Sequence, residues 1–277
     1  MPLWIQLGDA MLRIIRSNVR IFWDGAFLSY RALFRWLSPA TYLASKVLAP
    51  LTIMIFFIFI GAYASGSQTA TFYVIGNALI FTASSGIYGV TMSIGGERWS
   101  GTLAYLFGAP ANRMVMFSGR AFMHIVDGML GVFIGLGWGV LLFGLDLGET
   151  DPLALTVVIL ATTFSTAGLG LLMGCLSLVT RNVMLVNNTV YFALLLFSGA
   201  NLEIKSLPVW MQKVSLVLPL TRGISSARNI IMGGTLRDVM PSLWQEIFIG
   251  LFFSALGYLL FRVFEVQAKK LGTLDIF

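Results

Sequence analysis

The sequence predicts an all-α membrane protein with six transmembrane helices, because of both its composition and its apolar runs. Of the 277 residues, 57% are hydrophobic and only 11% are charged. A soluble domain carries roughly 25% charged residues and could not bury so much apolar surface in one core. In a bilayer the outer surface of a protein can be apolar too, so the mean hydropathy of +0.86 fits a membrane protein.

Residues 8–38 precede the first span and predict an amphipathic helix in the membrane interface. Arg13, Arg16 and Arg20 are spaced three and then four apart, which puts them on one helical face among apolar residues. Basic helices with this pattern lie in the plane of the interface. An ordinary solvated helix is the alternative, and Pro39 is expected to end the helix in either case.

Six apolar runs are long enough to cross a bilayer as helices. The fifth is the shortest, and Pro50 is expected to kink the first. Six spans place both termini on the same side of the membrane. The runs cover residues 43–64, 72–95, 121–145, 153–178, 184–200 and 243–263.

Basic residues are distributed unevenly around these runs, and the asymmetry predicts the orientation. The formal charge is +6, and most of the 18 Lys and Arg residues fall in the N-terminal segment, in the tail, or around the connections after spans two and four. The positive-inside rule places these regions and both termini in the cytoplasm, as in a protein of the bacterial plasma (inner) membrane. The basic charge therefore indicates orientation, and we expect no nucleic-acid partner.

Residues 201–242 follow the fifth run and should be external, yet they carry five basic residues. Pro208 and Pro219, with Glu203, make a seventh span here unfavourable. We expect two short helices separated near Pro219, forming a hairpin that re-enters the outer leaflet beside the bundle. Residues 1–277 then form a single transmembrane domain.

The connection after the second run, residues 97–110, predicts a short cytoplasmic helix. Glu97 is expected near its start, where a carboxylate favours the helix dipole, and Pro110 marks its end. Leu103 and Leu106 share one face, which suits docking in the groove of a partner protein. A plain interfacial connector is the alternative.

The third run holds ionisable residues that form a candidate polar cluster: Arg120, His124 and Asp127. Ionisable groups inside a membrane are often functional, so a His–Asp proton relay is one hypothesis. A structural polar cluster is the other. One histidine and one aspartate do not make a metal site, and we expect no metal.

Several segments resemble the permeases of ABC-2 type transporters. Glu-Arg-x-x-Gly-Thr-Leu at residues 97–103, followed by a small residue, Pro110 and a basic residue, is similar to their loop between spans two and three. The amphipathic N-terminal segment resembles their interface helix. Residues 207–221 resemble their re-entrant external hairpin, and residues 269–274 resemble their basic Gly-Thr-Leu ending.

The resemblance implies the membrane subunit of an ATP-driven exporter. In that family two permeases, identical or paralogous, form the pathway among membrane lipids, and two cytosolic ATPase subunits bind below. ATP and magnesium would be used by the ATPase partner, because this chain has no phosphate loop and is expected to bind no cofactor. The coupling helix at residues 97–110 would contact the ATPase through Glu97, Arg98, Thr102, Leu103, Leu106 and Pro110.

Family geometry also implies a substrate path along spans one, two and five. The candidate residues there are Asn77, Phe81, Asn188, Tyr191 and Phe192. Hydrogen bonds between helices are an equally good explanation of these polar groups. The expected cargo is a drug-like, amphipathic or lipid-linked compound, and a proton- or ion-coupled secondary transporter is the alternative function. Serine-hydrolase and zinc-protease motifs are absent, so we do not expect an enzyme.

Overall fold

The computed structural model describes residues 3–36, 38–64, 70–102, 105, 108, 112–178, 180 and 182–271. These residues form helices and turns, with no strand among them. A short π-helix, Ser84–Gly89, joins two of the α-helices and is called the π segment below. The α-helices are α1 Leu3–Trp36, α2 Pro39–Ala64, α3 Ala70–Ala83, α4 Val90–Trp99, α5 Arg113–Phe143, α6 Pro152–Ser177, α7 Val183–Phe197, α8 Val209–Val217, α9 Thr221–Ile231 and α10 Leu236–Leu271.

Five stretches in the described part of the chain are long and apolar enough to cross a membrane. They confirm an all-helical, multi-pass architecture. The fifth predicted span corresponds to α7, which has only 15 residues. At 1.5 Å per residue it is about 22 Å long, less than the ~30 Å hydrocarbon core. The five stretches are Pro39–Tyr63, Ala70–Arg98, Arg113–Phe143, Pro152–Ser177 and Leu236–Gln267.

The centre of the bundle consists of α6 and the continuous α3–π–α4 helix. Every residue from Tyr73 to Ala83 is buried, as expected for a helix that is apolar on all sides. Glycine lets the two helices approach closely, since a Cβ at Gly170 would overlap the backbone carbonyl of Gly86. On its other side α6 packs against α10, and a Cβ at Gly168 would overlap the carbonyl of Gly250.

The long N-terminal helix α1 crosses α5 and otherwise leaves the bundle. A Cβ at Gly25 would lie 2.9 Å from the backbone oxygen of Met116, so the crossing requires a small residue. The rings of Phe22 and Trp23 pack against Phe122 of α5. The apolar side chains between Met11 and Val19 are largely exposed. This exposure is what an interfacial helix needs, and α1 ends before Pro39, which begins α2.

The segment between α7 and α10 contains the two short helices that the sequence predicted. Leu218, Pro219 and Leu220 separate α8 from α9. Leu218 is extended, as a residue before proline prefers. Leu220 has φ 80°, and the carboxylate of Glu246 accepts its backbone N–H at 2.6 Å. This hydrogen bond satisfies a donor at the start of α9, which would otherwise be buried without a partner.

We expect Gly170→Leu to disrupt the fold, because its side chain would separate α6 from the π segment. Gly137→Ala on α5 is the matched control, since a Cβ there has open space around it. The measurement is the melting temperature of the purified proteins in detergent. The control should melt within a few degrees of the wild type, whereas Gly170→Leu should melt far below it or fail to purify. Equal melting temperatures of the two variants would contradict close packing of α6 against the π segment at Gly170.

Candidate functional site

The second span ends in a glycine-based cap, which corrects one sequence prediction. Glu97 is in the last turn of α4 and does not begin a helix. The N–H of Thr102 donates to the carbonyl of Glu97 at 2.9 Å, and that of Gly101 donates to Arg98 at 3.1 Å. These bonds form a Schellman motif, in which Gly101 takes the required left-handed conformation with φ 67°. The hydroxyl of Thr102 also donates to the carboxylate of Glu97.

The two charged residues in this last turn bind neighbouring spans. Glu97 forms an ion pair with Arg120 of α5, and both side chains are largely buried. Arg98 donates to the carbonyls of Leu178 and Thr180 at 3.2 and 3.3 Å, just after α6. Glu97 and Arg98 therefore fix the end of α4 to α5 and α6, instead of pointing away from the chain.

Beyond the cap, the structure describes only part of the segment that precedes α5. Tyr105 is 80% exposed, and Gly108 is exposed as well. Asn112 then caps α5 by accepting the N–H of Val115. Three of the predicted coupling residues lie outside the described residues, namely Leu103, Leu106 and Pro110.

The three polar residues of the third span are buried, and each has its own hydrogen-bond partners. Arg120 pairs with Glu97, as described above. His124 shares a hydrogen bond with the hydroxyl of Ser29 of α1, with a distance of 3.1 Å from Nε2 to Oγ. A Cβ at Gly89 would overlap the His124 ring, so this glycine makes room for it. Asp127, one turn further, has a third set of partners.

The carboxylate of Asp127 accepts three hydrogen bonds from other segments. Lys46 of α2 forms an ion pair with it, and the hydroxyl of Tyr42 donates to its other oxygen. Ser85 of the π segment donates at 2.7 Å. The side chains of Asp127 and Lys46 are only 6% and 15% exposed. Sequence reasoning missed Lys46 as a partner, although a lysine at the start of an apolar run needs a counter-charge.

The candidate path residues of the fifth span lie on a partly exposed face. The hydroxyl of Tyr88 in the π segment donates to the side-chain oxygen of Asn188 at 2.6 Å. The rings of Tyr88 and Tyr191 are 5.7 Å apart, and the exposed ring of Phe192 is 6.0 Å from Tyr191. These residues form an aromatic surface with one polar pair. Sequence reasoning did not identify Tyr88, because nothing in the sequence marks it as facing α7.

The two candidate path residues of the second span are buried within the chain. Asn77 donates to the backbone oxygen of Tyr73 and, at 2.7 Å, to the side-chain oxygen of Asn201. Phe81 belongs to the core. Asn77 thus makes the hydrogen bond between segments that was the alternative explanation. Neither residue shares the exposed surface formed around Asn188.

The opposite end of the bundle has a half-buried arginine, Arg228 of α9. It donates to the carbonyls of Gly199, Ala200 and Phe72 at 2.8–3.0 Å, and its guanidinium lies 3.5 Å from the centre of the Phe72 ring. Burial lowers the pKa of Arg228 to about 10, so it stays charged at neutral pH. Arg228 therefore joins the segment after α7 to the start of α3.

We expect Lys46→Met to destabilise the protein by about 3–5 kcal/mol, because it leaves the Asp127 charge buried without its partner. The double variant Lys46→Met, Asp127→Leu should recover most of this loss. Thermal unfolding in detergent measures both effects. Arg20→Ala removes the exposed Arg20–Asp24 pair and should cost less than about 1 kcal/mol. No recovery in the double variant would contradict a coupled pair.

Comparison with known proteins identifies the family of the chain. No curated protein matches the sequence. The profile of the family described as ABC-2 type transporter matches residues 26–232. The matched stretch includes Lys46, Glu97, Asp127 and Arg228, and it covers well over half of the chain. The chain therefore belongs to the ABC-2 type transporter family, whose members are membrane subunits of transporters and are not themselves catalytic.

Proposed function

We propose that the chain is the permease subunit of an ATP-driven exporter that works with a separate cytosolic ATPase. The observation that carries this proposal is the contrast around Gly101. The residues before it, Glu97 and Arg98, are bound to α5 and α6. Tyr105 after it is 80% exposed and available to a partner. A force on the exposed segment would therefore reach two spans directly.

The proposed orientation has six spans and both termini in the cytoplasm. The contacts at both ends of α7 support this count. Thr180 lies beside Arg98 at the end of α4, whereas Gly199 and Ala200 lie beside Phe72 at the start of α3. The chain from 180 to 200 therefore runs the length of the α3–π–α4 helix in the opposite direction. The α3–π–α4 helix is long enough to cross the membrane, which supports our proposal that α7 crosses with its flanking residues.

A second permease would pack against the exposed side of the first and fifth spans. The outer face of α2 presents large apolar rings that the chain itself does not cover, including Phe56, Phe59 and Tyr63. The surface around Asn188 and Phe192 is similarly uncovered. Two copies facing one another there would enclose a path lined by aromatic rings and the Tyr88–Asn188 pair. Such a lining suits an amphipathic, drug-like or lipid-linked compound.

In the proposed cycle the ATPase pair, with ATP and magnesium, closes and displaces segment 97–110. The Glu97–Arg120 pair passes this movement to α5, and Arg98 passes it to the end of α6. At the external end, the α8–α9 hairpin would gate the exit. Arg228 fixes that hairpin to α3 and to the segment after α7, so tilting of either span would move the gate.

The contacts of Asp127 favour the structural interpretation over a proton-coupled transporter. Its carboxylate is bound by a lysine and two hydroxyl groups, and His124 is bound to a different helix. A relay needs a group that can take up a proton from one side and release it to the other. Asp127 and His124 are both buried among their partners, so we retain the ATP-driven function.

We expect Tyr105→Asp to reduce co-purification of the ATPase by about tenfold, which corresponds to ~1.4 kcal/mol of binding free energy. Leu153→Asp is the control, because Leu153 is 68% exposed at the start of α6, the end of that helix opposite to the contacts of Arg98. The amount of ATPase retained on the immobilised permease is the measurement. Equal retention by both variants would refute the docking role of the segment after Gly101.

The ion pair between Glu97 and Arg120 gives a second test of coupling. Glu97→Arg should abolish ATP-dependent transport in vesicles, because two buried arginines would face each other. The charge-swapped variant Glu97→Arg, Arg120→Glu should restore part of the transport. ATPase binding should change little in the swapped variant. If the swapped variant binds the ATPase normally but transports nothing, the Glu97–Arg120 pair is not the route of coupling.

A further inference from the structure

A groove of about 360 Å³ lies between α5 and α10, and no residue of α7 lines it. Helix α6 forms its floor, and Phe22 of α1 closes one side. Its walls are almost wholly apolar, and Phe122, Leu251 and Tyr258 at its edges are exposed. The groove therefore opens toward the lipid.

The length of the groove matches one leaflet of a bilayer. Along α10 it extends from Leu251 to Phe261, and along α5 from Met114 to Ile125. Ten or eleven helical residues rise about 15 Å, which is half of the ~30 Å hydrocarbon core. The groove thus runs from one end of the spans to the middle of the membrane, as the acyl chains of one leaflet do.

Basic residues lie at the end of the groove formed by Met114 and Phe261. The rings of Phe117 and Phe261 meet there edge to face, with centroids 4.7 Å apart. Just beyond them, Arg113 and Arg262 both bind the buried carboxylate of Glu265, at 2.6 and 3.0 Å. The two guanidinium groups therefore share one carboxylate at this end of the groove. The side chain of Arg262 is 51% exposed and accessible from the membrane surface.

We propose that this groove binds an anionic phospholipid, with one acyl chain in the groove and the phosphate at Arg262. Each methylene buried in the apolar walls favours binding of the chain. The half-exposed guanidinium of Arg262 favours an anionic headgroup over a zwitterionic one. The bound lipid would contact α1, α5 and α10 together, and would hold Phe22 of the interface helix against the bundle.

Native mass spectrometry of the purified full-length permease tests this proposal without the ATPase. The probes are dioleoyl phosphatidylglycerol and dioleoyl phosphatidylcholine, which share their acyl chains. We expect one phosphatidylglycerol to bind about fivefold more tightly than phosphatidylcholine, equivalent to ~1 kcal/mol for one basic residue near the surface. Arg262→Gln should remove this preference, and Arg262→Lys should restore it. Equal affinity of the wild type for both lipids would overturn the proposal.

Variants that fill the groove distinguish lipid binding in the groove from ordinary lipid contacts around the bundle. Ala121→Phe should weaken the binding of both lipids, because Ala121 is buried and lines the groove. Val126→Phe is the control, since Val126 is exposed on the same helix outside the groove. Melting temperatures check folding, and Ser118→Phe at the exposed edge replaces Ala121→Phe if that variant does not fold. The same lipid affinity in the groove variant and the control would exclude a groove site.

Discussion

The buried ion pair between Lys46 and Asp127 is the constraint on which the arrangement of the helices depends. An aspartate inside a membrane-spanning helix is costly unless it has a cation and further hydrogen-bond donors. Asp127 obtains them from α2 and from the π segment, so α2, α5 and the second span must meet at this depth. Close packing follows, since Gly86 and Gly89 bring the same π segment against α6 and the ring of His124.

The two ends of the bundle use the same principle with different groups. At one end, Glu97 and Arg98 bind a side chain of α5 and carbonyls after α6. At the other end, Arg228 binds carbonyls at the start of α3 and after α7. The carbonyls after α6 and α7 lie at helix ends that leave such groups without partners, and an arginine replaces water for them. Movement at either end therefore involves several spans together.

The five long apolar helices and the two short helices between α7 and α10 could be predicted from the sequence because they follow from local chemistry. Apolar runs must form helices in a bilayer, and Pro219 must interrupt one. The prediction that a helix starts near Glu97 was wrong. Gly101, two residues after Trp99, is a recognisable signal for the end of a helix. The partners of Asp127 and Arg228 could not be predicted, because they lie 42–85 and 28–156 residues away in the sequence, respectively. Such pairings depend on how the helices pack, and no periodic pattern in a single sequence indicates that packing.

The π segment also affects where the gene can lose a residue. A π turn holds one residue more than an α-helix would need, and each residue turns an α-helix by about 100°. Deleting one residue of α4 itself would rotate Glu97 and Arg98 away from α5 and α6. Deleting one residue of the π segment would instead remove its extra residue and keep the faces of α4. Outside the π segment, insertions and deletions in the second span should therefore be rare among functional relatives, even though a longer or shorter apolar helix could still cross the membrane.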